Sequence, residues 1–241
     1  RGIDLGKEPL EIALCAQHNN GGLAMDCWWH TNLQGFFAVG EAAASHGVYR
    51  PGGSALNAGQ VGSTRAAQYI AARRGEEEGF EGFEARVLPQ VAQLLDMVRG
   101  LEGEEDNARE LLREAAARMS RIGSAIRSAE GIREGLEKTR RLLRAFSREV
   151  RVKEPGGLGL ALRLRDVLLC QEVYLCAMAD YLAQGGKSRG SALYTDPAGA
   201  RPHPKLPELF AFCLDGGSRG ALVQEVLPTP EGPVFRWREV R

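Results

Sequence analysis

The sequence predicts an α/β segment at the amino terminus, an all-α domain after it, and a β-hairpin at the end. Three observations lead to this fold class. Residues up to about 74 are rich in Gly, Ala and Asn, and the next stretch repeats Leu, Ala, Arg and Glu at helical spacing. The last part is proline-rich and ends in two strand-like runs. We therefore expect domains at 1–74, 75–198 and 199–241, the last being a tail with the hairpin.

The first segment contains the candidate site. The apolar run Phe36–Val39 lies between glycines and predicts a buried strand. Glu41 then stands at the carboxyl end of that strand, where open α/β sheets bind ligands. A helix predicted over Ser54–Arg73 points its first backbone N–H groups at the same crevice, after a Gly-Gly pair that lets a ligand approach. Taken alone, this pattern fits an ordinary structural element equally well.

The middle segment predicts three helices. The first covers Gly82–Arg99, with Pro89 expected near its start. One apolar stripe from Leu112 to Val150 predicts a second helix, and another stripe from Leu160 to Leu182 predicts a third. Short breaks between them indicate an antiparallel bundle, which we interpret as scaffold and not as a second active site. Ala221–Leu227 and Val234–Val240 predict the terminal hairpin.

Composition excludes several classes of protein. The 241 residues carry 31 acidic and 31 basic side chains, so the formal charge is zero and nucleic acid is not an expected partner. Five cysteines occur without C-x-x-C spacing, which favours reduced thiols in the cytoplasm over disulfides or a metal site. Because no apolar run approaches the roughly 20 residues that span a bilayer, we expect no membrane span.

Several motifs occur in order along the chain. They are HNNGGLAMD from His18, then Thr31, then GFFAVGE ending at Glu41, then HGVYRPGGSALNAGQVG from His46. MSRIGSAIR and KSRGSALYTDP follow within the helical segment and after it. In this order they resemble the flavoprotein subunits of succinate dehydrogenase, fumarate reductase and L-aspartate oxidase. The run from Thr31 to Glu41 is also similar to a motif of glutathione-reductase-like FAD proteins.

The resemblance implies FAD as cofactor and a partial glutathione-reductase-like FAD-binding segment. It implies that Gly40 and Glu41 approach the ribityl chain, and that His46 lies near the flavin. It also implies that the helix start at Ser54, Ala55 and Leu56 presents backbone amides to the isoalloxazine, where they stabilise negative charge on the reduced ring.

The same resemblance implies that His18 and Arg50 hold a carboxylate of a small substrate, the guanidinium fork matching the two carboxylate oxygens. From the residues alone, alternatives stay open. His18 fits a buried, hydrogen-bonded histidine, His46 fits a turn cap, and Arg50 fits a structural ion pair. The neighbours of these cations differ from the family pattern, so a specific C4-dicarboxylate substrate does not follow.

The expected function is that of an FAD-dependent oxidoreductase, carried out as the carboxyl-terminal part of a longer chain. No G-x-G-x-x-G turn for the pyrophosphate is found, so we expect it to precede Arg1 and the isolated chain to be inactive. The alternative is a docking module, in which the helical bundle binds an iron–sulfur or other electron-transfer subunit. Such a partner would place the protein at the inner face of the membrane. A stand-alone nucleotide binder ranks last, because the P-loop lysine is lacking.

Overall fold

The computed structural model describes residues 3–10, 21–47, 53–73, 81–190, 192–229 and 231–240. Contacts between residues divide the chain into two compact units, Arg1–Phe80 and Glu81–Arg241. The domain boundaries predicted at residues 74 and 198 stay a prediction.

The first unit is built around one long helix, α1 (Ser54–Ala72), which confirms the helix predicted at this position. A short 3-10 turn, Gly40–Ala42, packs against α1. An isolated parallel bridge joins Leu23 to Ala43, directly after this turn. The turn and the helix therefore form the two main pieces of the described part of this unit.

The strand predicted at Phe36–Val39 is wrong. The Phe36 carbonyl accepts from the Thr31 N–H at 2.9 Å, while the Phe36 N–H donates to the Leu33 carbonyl at 3.0 Å. These bonds fold the segment into a tight hairpin with a single bridge between His30 and Phe37. An apolar run becomes a sheet strand only where neighbours pair with it, and no strand of the described residues does so here.

The second unit contains the helices α2 (Phe83–Arg99), α3 (Ala108–Ile122), α4 (Ala129–Arg144), α5 (Phe146–Glu149) and α6 (Leu158–Ala183). The helices predicted over 82–99 and 160–182 correspond to α2 and α6 and are confirmed. Pro89, expected near a helix start, is the seventh residue of α2. The helix continues past it because a proline this close to the start removes only one intrahelical hydrogen bond.

The single helix predicted over Leu112–Val150 is interrupted. A two-residue strand, β1 (Ile126–Arg127), separates α3 from α4. The α4 start is fixed by Ser128, whose hydroxyl accepts from the Gly131 N–H at 3.0 Å. The side-chain spacing continues through this point, but the backbone does not, since the Ser128 cap begins a new helix.

Helix α6 lies at the centre of the second unit and packs against α3 and α4. Its charges are few, and its inward side is buried along almost its full length. One apolar cluster joins it to the other helices: Leu101, Ala108, Ala115, Leu142, Phe146, Val150, Val152, Ala161, Leu164 and Leu168. A second cluster lies nearer its end: Ile132, Leu175, Tyr181 and Tyr194. Burial of these side chains supplies most of the favourable free energy of folding.

Three further strands in the described ranges complete the unit. β1 pairs in parallel with β2 (Leu193–Ala200), with Ile126 opposite Leu193 and Arg127 opposite Tyr194. β3 (Leu222–Leu227) and β4 (Val234–Glu239) form an antiparallel pair, as the terminal hairpin prediction requires. This hairpin contacts α6 and belongs to the same unit.

Candidate functional site

The Gly40–Ala42 turn is held by backbone hydrogen bonds to residues far from it in sequence. The Leu23 N–H donates to the Ala42 carbonyl at 2.8 Å, and the Ala44 N–H donates to the Leu23 carbonyl at 3.0 Å. Ala43, between these contacts, is fully buried. The turn that carries Glu41 is therefore anchored on its far side, which leaves the Gly40–Glu41 side to face a cleft.

Helix α1 begins directly opposite this turn. Gly53 occupies the cap position and offers no side chain to the first backbone N–H groups. The first turn of any helix lacks intrahelical acceptors for its amides, and the helix dipole makes this end partially positive. No acidic side chain occurs in the first turn of α1, so this positive end is not neutralised by the helix itself.

An open cleft of about 440 Å³ lies between the turn and the helix. Its lining residues are Val39, Gly40, Glu41, His46, Ala55, Leu56, Gly59, Gln60 and Ser63. Five residues predicted to bind the cofactor are among them: Gly40, Glu41, His46, Ala55 and Leu56. Ser54 starts the helix but is not among the lining residues, while His18 and Arg50 lie outside the described residues.

Sequence reasoning missed four lining residues: Val39, Gly59, Gln60 and Ser63. The last three follow from helix geometry, because residues four apart share one face. Ala55 and Gly59 are separated by four residues, as are Leu56 and Gln60. Projecting the predicted helix from Ala55 and Leu56 would have found them.

The cleft combines two opposite polar surfaces. Glu41 supplies carboxylate oxygens, which accept hydrogen bonds from hydroxyl groups. The α1 start supplies backbone donors, which favour carbonyl oxygens or negative charge. Gly40 has φ of 63°, and a Cβ built there would contact no atom within 4 Å. Its backbone therefore faces open space and allows a ligand to approach closely.

The second unit holds another cleft, of about 490 Å³, between α4, α6 and the loop that joins β3 to β4. Arg140 donates from Nε to Glu172 Oε1 at 2.7 Å and from Nη2 to Cys176 Sγ at 3.2 Å. Burial raises the pKa of the Cys176 thiol, an effect that Arg140 opposes and Glu172 reinforces. No residue predicted for the site lies here.

No helix of the described residues combines the length and the apolar character required to cross a membrane. In the same ranges, no three side chains among His, Cys, Asp and Glu come together in a way that could hold a metal ion.

The class of protein is shown by comparison with known proteins. The chain is 30% identical over 173 residues to a fumarate reductase (CoM/CoB) flavoprotein of Methanothermobacter marburgensis, covering 70% of this chain and 31% of that protein. It is 34% identical over 138 residues to an FAD-dependent oxidoreductase of Methanocaldococcus jannaschii, covering 57% and 25%. No family model matches the sequence.

The fold has a solved counterpart. A mutant of E. coli quinol fumarate reductase FrdA superimposes with a TM-score of 0.71 at 21% identity, over 99% of this chain and 39% of that one. The chain thus spans about a third or less of the length of the curated relatives named above. It belongs to the fumarate reductase family of flavoproteins.

Proposed function

We propose that the chain forms part of the FAD site of an oxidoreductase of the fumarate reductase and succinate dehydrogenase type. The cleft carries this proposal, because it places Glu41 opposite the Ala55–Leu56 start of α1. Membership in the flavoprotein family supports it. The relatives matched above bear names that include fumarate reductase and FAD-dependent oxidoreductase.

The residues of the cleft fit FAD by their chemistry. The ribityl chain carries hydroxyl groups, for which the Glu41 carboxylate is a suitable acceptor. The pyrimidine edge of isoalloxazine carries carbonyl oxygens, for which the amides of Ala55 and Leu56 are suitable donors. The exposed side chain of Leu56, 79% accessible, offers apolar surface to a flat ring. When bound, FAD supplies hydride transfer at its N5 atom.

The substrate of the proposed enzyme is a small carboxylate. Arg50 and His18, which lie outside the described residues, are proposed to hold its carboxylate group. A guanidinium donates two parallel hydrogen bonds to a carboxylate, so it fixes orientation as well as charge. His18 adds a third donor from another segment. Holding the reacting carbon at a fixed distance from the flavin lowers the entropic part of the barrier.

The experiment that tests this function is an FAD titration of the longer protein to which this chain would belong, followed by flavin absorbance. We expect Glu41→Ala to lower flavin occupancy, whereas Glu208→Ala, a carboxylate in a separate 3-10 turn of the second unit, leaves it unchanged. The 241-residue chain alone is expected to bind FAD weakly, since it has no G-x-G-x-x-G turn for the pyrophosphate. Equal flavin content in Glu41→Ala and the unmodified protein would contradict the proposal.

A second candidate function is docking to an iron–sulfur or other electron-transfer subunit. It is favoured by α2, which has no buried residue and exposes a row of apolar side chains: Phe83, Leu88, Val91, Leu94 and Leu95. An exposed apolar patch of this kind is typical of an interface. If docking is the main role, Leu94→Asp abolishes binding of a co-expressed iron–sulfur subunit, while Arg50→Lys leaves all functions intact.

A further inference from the structure

Trp29 adopts a backbone conformation that is rare for a large side chain. Its φ is 63°, and it is the one non-glycine residue with positive φ in the described ranges. Asp26 holds the turn in place, because its Oδ1 accepts from the backbone N–H groups of Trp28 at 2.8 Å and His30 at 3.0 Å. Such strain persists only where surrounding contacts enforce it. The contacts of the Trp29 indole therefore need an explanation.

The indole of Trp29 packs into a space that Gly62 leaves open on α1. Gly62 is buried, and a Cβ built on it would lie 2.6 Å from Trp29 Cε2. Any side chain larger than hydrogen at position 62 would displace the ring. The indole and the helix backbone are thus in direct contact, with no room between them.

Arg65, one turn further along α1, holds the ring from the other side. Its Cζ lies 4.7 Å from the ring centroid of Trp28 and 5.9 Å from that of Trp29. Trp29 Nε1 and Arg65 Nε are both buried, and neither finds an acceptor among the described residues. Packing and cation–π attraction, not hydrogen bonds, therefore fix this arrangement.

The backbone of Trp29 is tied to the opposite wall of the cleft. Its carbonyl accepts from the Ala38 N–H at 3.1 Å, and buried Ala38 stands two residues before Gly40. The two walls are close at this point, since a Cβ built on Gly59 of α1 would lie 3.6 Å from the Gly40 Cα. Trp29 thus touches one wall through its ring and the other through its carbonyl.

We propose that Trp29 is a positioning residue that sets the spacing between the Gly40–Glu41 turn and α1. This inference rests on the proposed function in so far as the cleft receives FAD. The ring acts as a spacer seated on Gly62, and the Ala38 bond transmits its position to Glu41. Glu41 and the amides of Ala55 and Leu56 then meet the ligand at a fixed separation, which preorganises the site.

The spacer is tested first without flavin, by hydrogen–deuterium exchange of the longer, flavin-free protein. Trp29→Leu keeps the backbone strain, because leucine is no freer at positive φ, but removes the ring from Gly62. We expect exchange at the amides of Ala38 and Ala44 to become about tenfold faster, a factor that corresponds to a tenfold larger opening equilibrium. Trp28→Leu is the matched control, with an adjacent, more exposed ring, and should leave these amides unchanged. Equal effects of the two variants overturn the proposal.

The second arm is a cycle of FAD titrations with Trp29→Leu, Gly62→Ala and the double variant. Each single change is expected to weaken FAD binding about tenfold, because either one shifts the ring off its seat. The double variant should bind within about threefold of Trp29→Leu alone, since the smaller leucine leaves room for the alanine methyl. Multiplicative effects would overturn the coupling. If the unmodified protein binds no FAD, the proposed function fails, while the exchange experiment still decides the role of Trp29.

Discussion

Trp237 Nε1 donates a 2.9 Å hydrogen bond to Asp180 Oδ2, and this bond joins β4 to α6. Gln224 Nε2, on β3, donates to the same oxygen at 2.8 Å and to the Ala177 carbonyl at 3.0 Å. One carboxylate oxygen of α6 therefore accepts from both strands of the terminal hairpin. The hairpin is fastened to the helix by a polar contact in addition to the packing of Trp237 against Tyr181.

Asp180→Ala should destabilise the second unit measurably. It leaves two half-buried donors without their charged acceptor, and such a loss costs about 2–3 kcal/mol of unfolding free energy. Urea unfolding followed by tryptophan fluorescence measures it. Asp166→Ala, at an exposed position of the same helix, is the matched control and should be neutral or slightly stabilising. Equal midpoints for the two variants would show that the Asp180 contacts contribute nothing.

A buried polar network joins α3, α4 and α6. Gln171 of α6 is almost fully buried and donates from Nε2 to the Ala115 carbonyl at 2.6 Å. Its Oε1 accepts from Arg118 Nη1 at 3.3 Å, and burial lowers the pKa of that guanidinium. All of these groups are removed from water, so each depends on the others for hydrogen bonds.

Gln171→Leu keeps the volume of the side chain but leaves Arg118 with one acceptor fewer. We expect a loss of about 1–3 kcal/mol in unfolding free energy, the usual cost of an unsatisfied buried group. The double variant Arg118→Met with Gln171→Leu replaces both partners by apolar groups. Thermal unfolding should find it less destabilised than the sum of the single variants, and simple additivity would contradict the network.

Cys176 should react slowly with alkylating reagents near neutral pH. Burial raises the pKa of its thiol above the ordinary value of about 8.5, so less thiolate is present at any given pH. Cys170, exposed on the same helix, is the internal control. Mass spectrometry after iodoacetamide treatment at pH 7.5 should find Cys170 modified first. The Cys176 rate should keep rising above pH 9, where the Cys170 rate levels off, and modification of Cys176 first would reverse the assignment.

Arg50→Lys should lower turnover of a carboxylate substrate about a hundredfold or more, roughly 3 kcal/mol of transition-state stabilisation. Lysine keeps the positive charge but loses the planar fork that orients a carboxylate. FAD content should stay near normal, in contrast to Glu41→Ala, which lowers FAD content first. Steady-state kinetics with flavin quantification separates the two effects. Near-normal turnover with FAD retained would show that Arg50 is not the clamp.

The sequence predicted those elements whose signals are local. α2 and α6 follow from apolar residues three and four apart, and the β3–β4 hairpin follows from two strand-like runs around a proline–glycine turn. The break between α3 and α4 was missed because Ile126 continues the spacing set by Ile122. The Ser128 cap was the available signal, since serine before a helical run favours a helix start.

The candidate site was predicted in part. Gly40, Glu41, Ala55 and Leu56 line one cleft, as expected from a motif pattern and a helix start. The Trp29–Gly62 contact could not be predicted, because it depends on how a turn and a helix thirty-three residues apart meet in space. The wrong strand at Phe36–Val39 has the same cause. An apolar run indicates burial, but only tertiary pairing decides between a strand and a hairpin arm.

The parallel pairing of β1 with β2 has a consequence for the order of folding. Only four residues take part, yet joining them closes a loop that contains the whole of α4, α5 and α6. Closing so long a loop costs chain entropy that two short strands do not repay, so the pair forms after the helices have docked. Interactions absent from the transition state affect unfolding rates alone. Weakening the pair at Ile126 or Leu193 therefore shortens the lifetime of the native state and leaves the refolding rate unchanged.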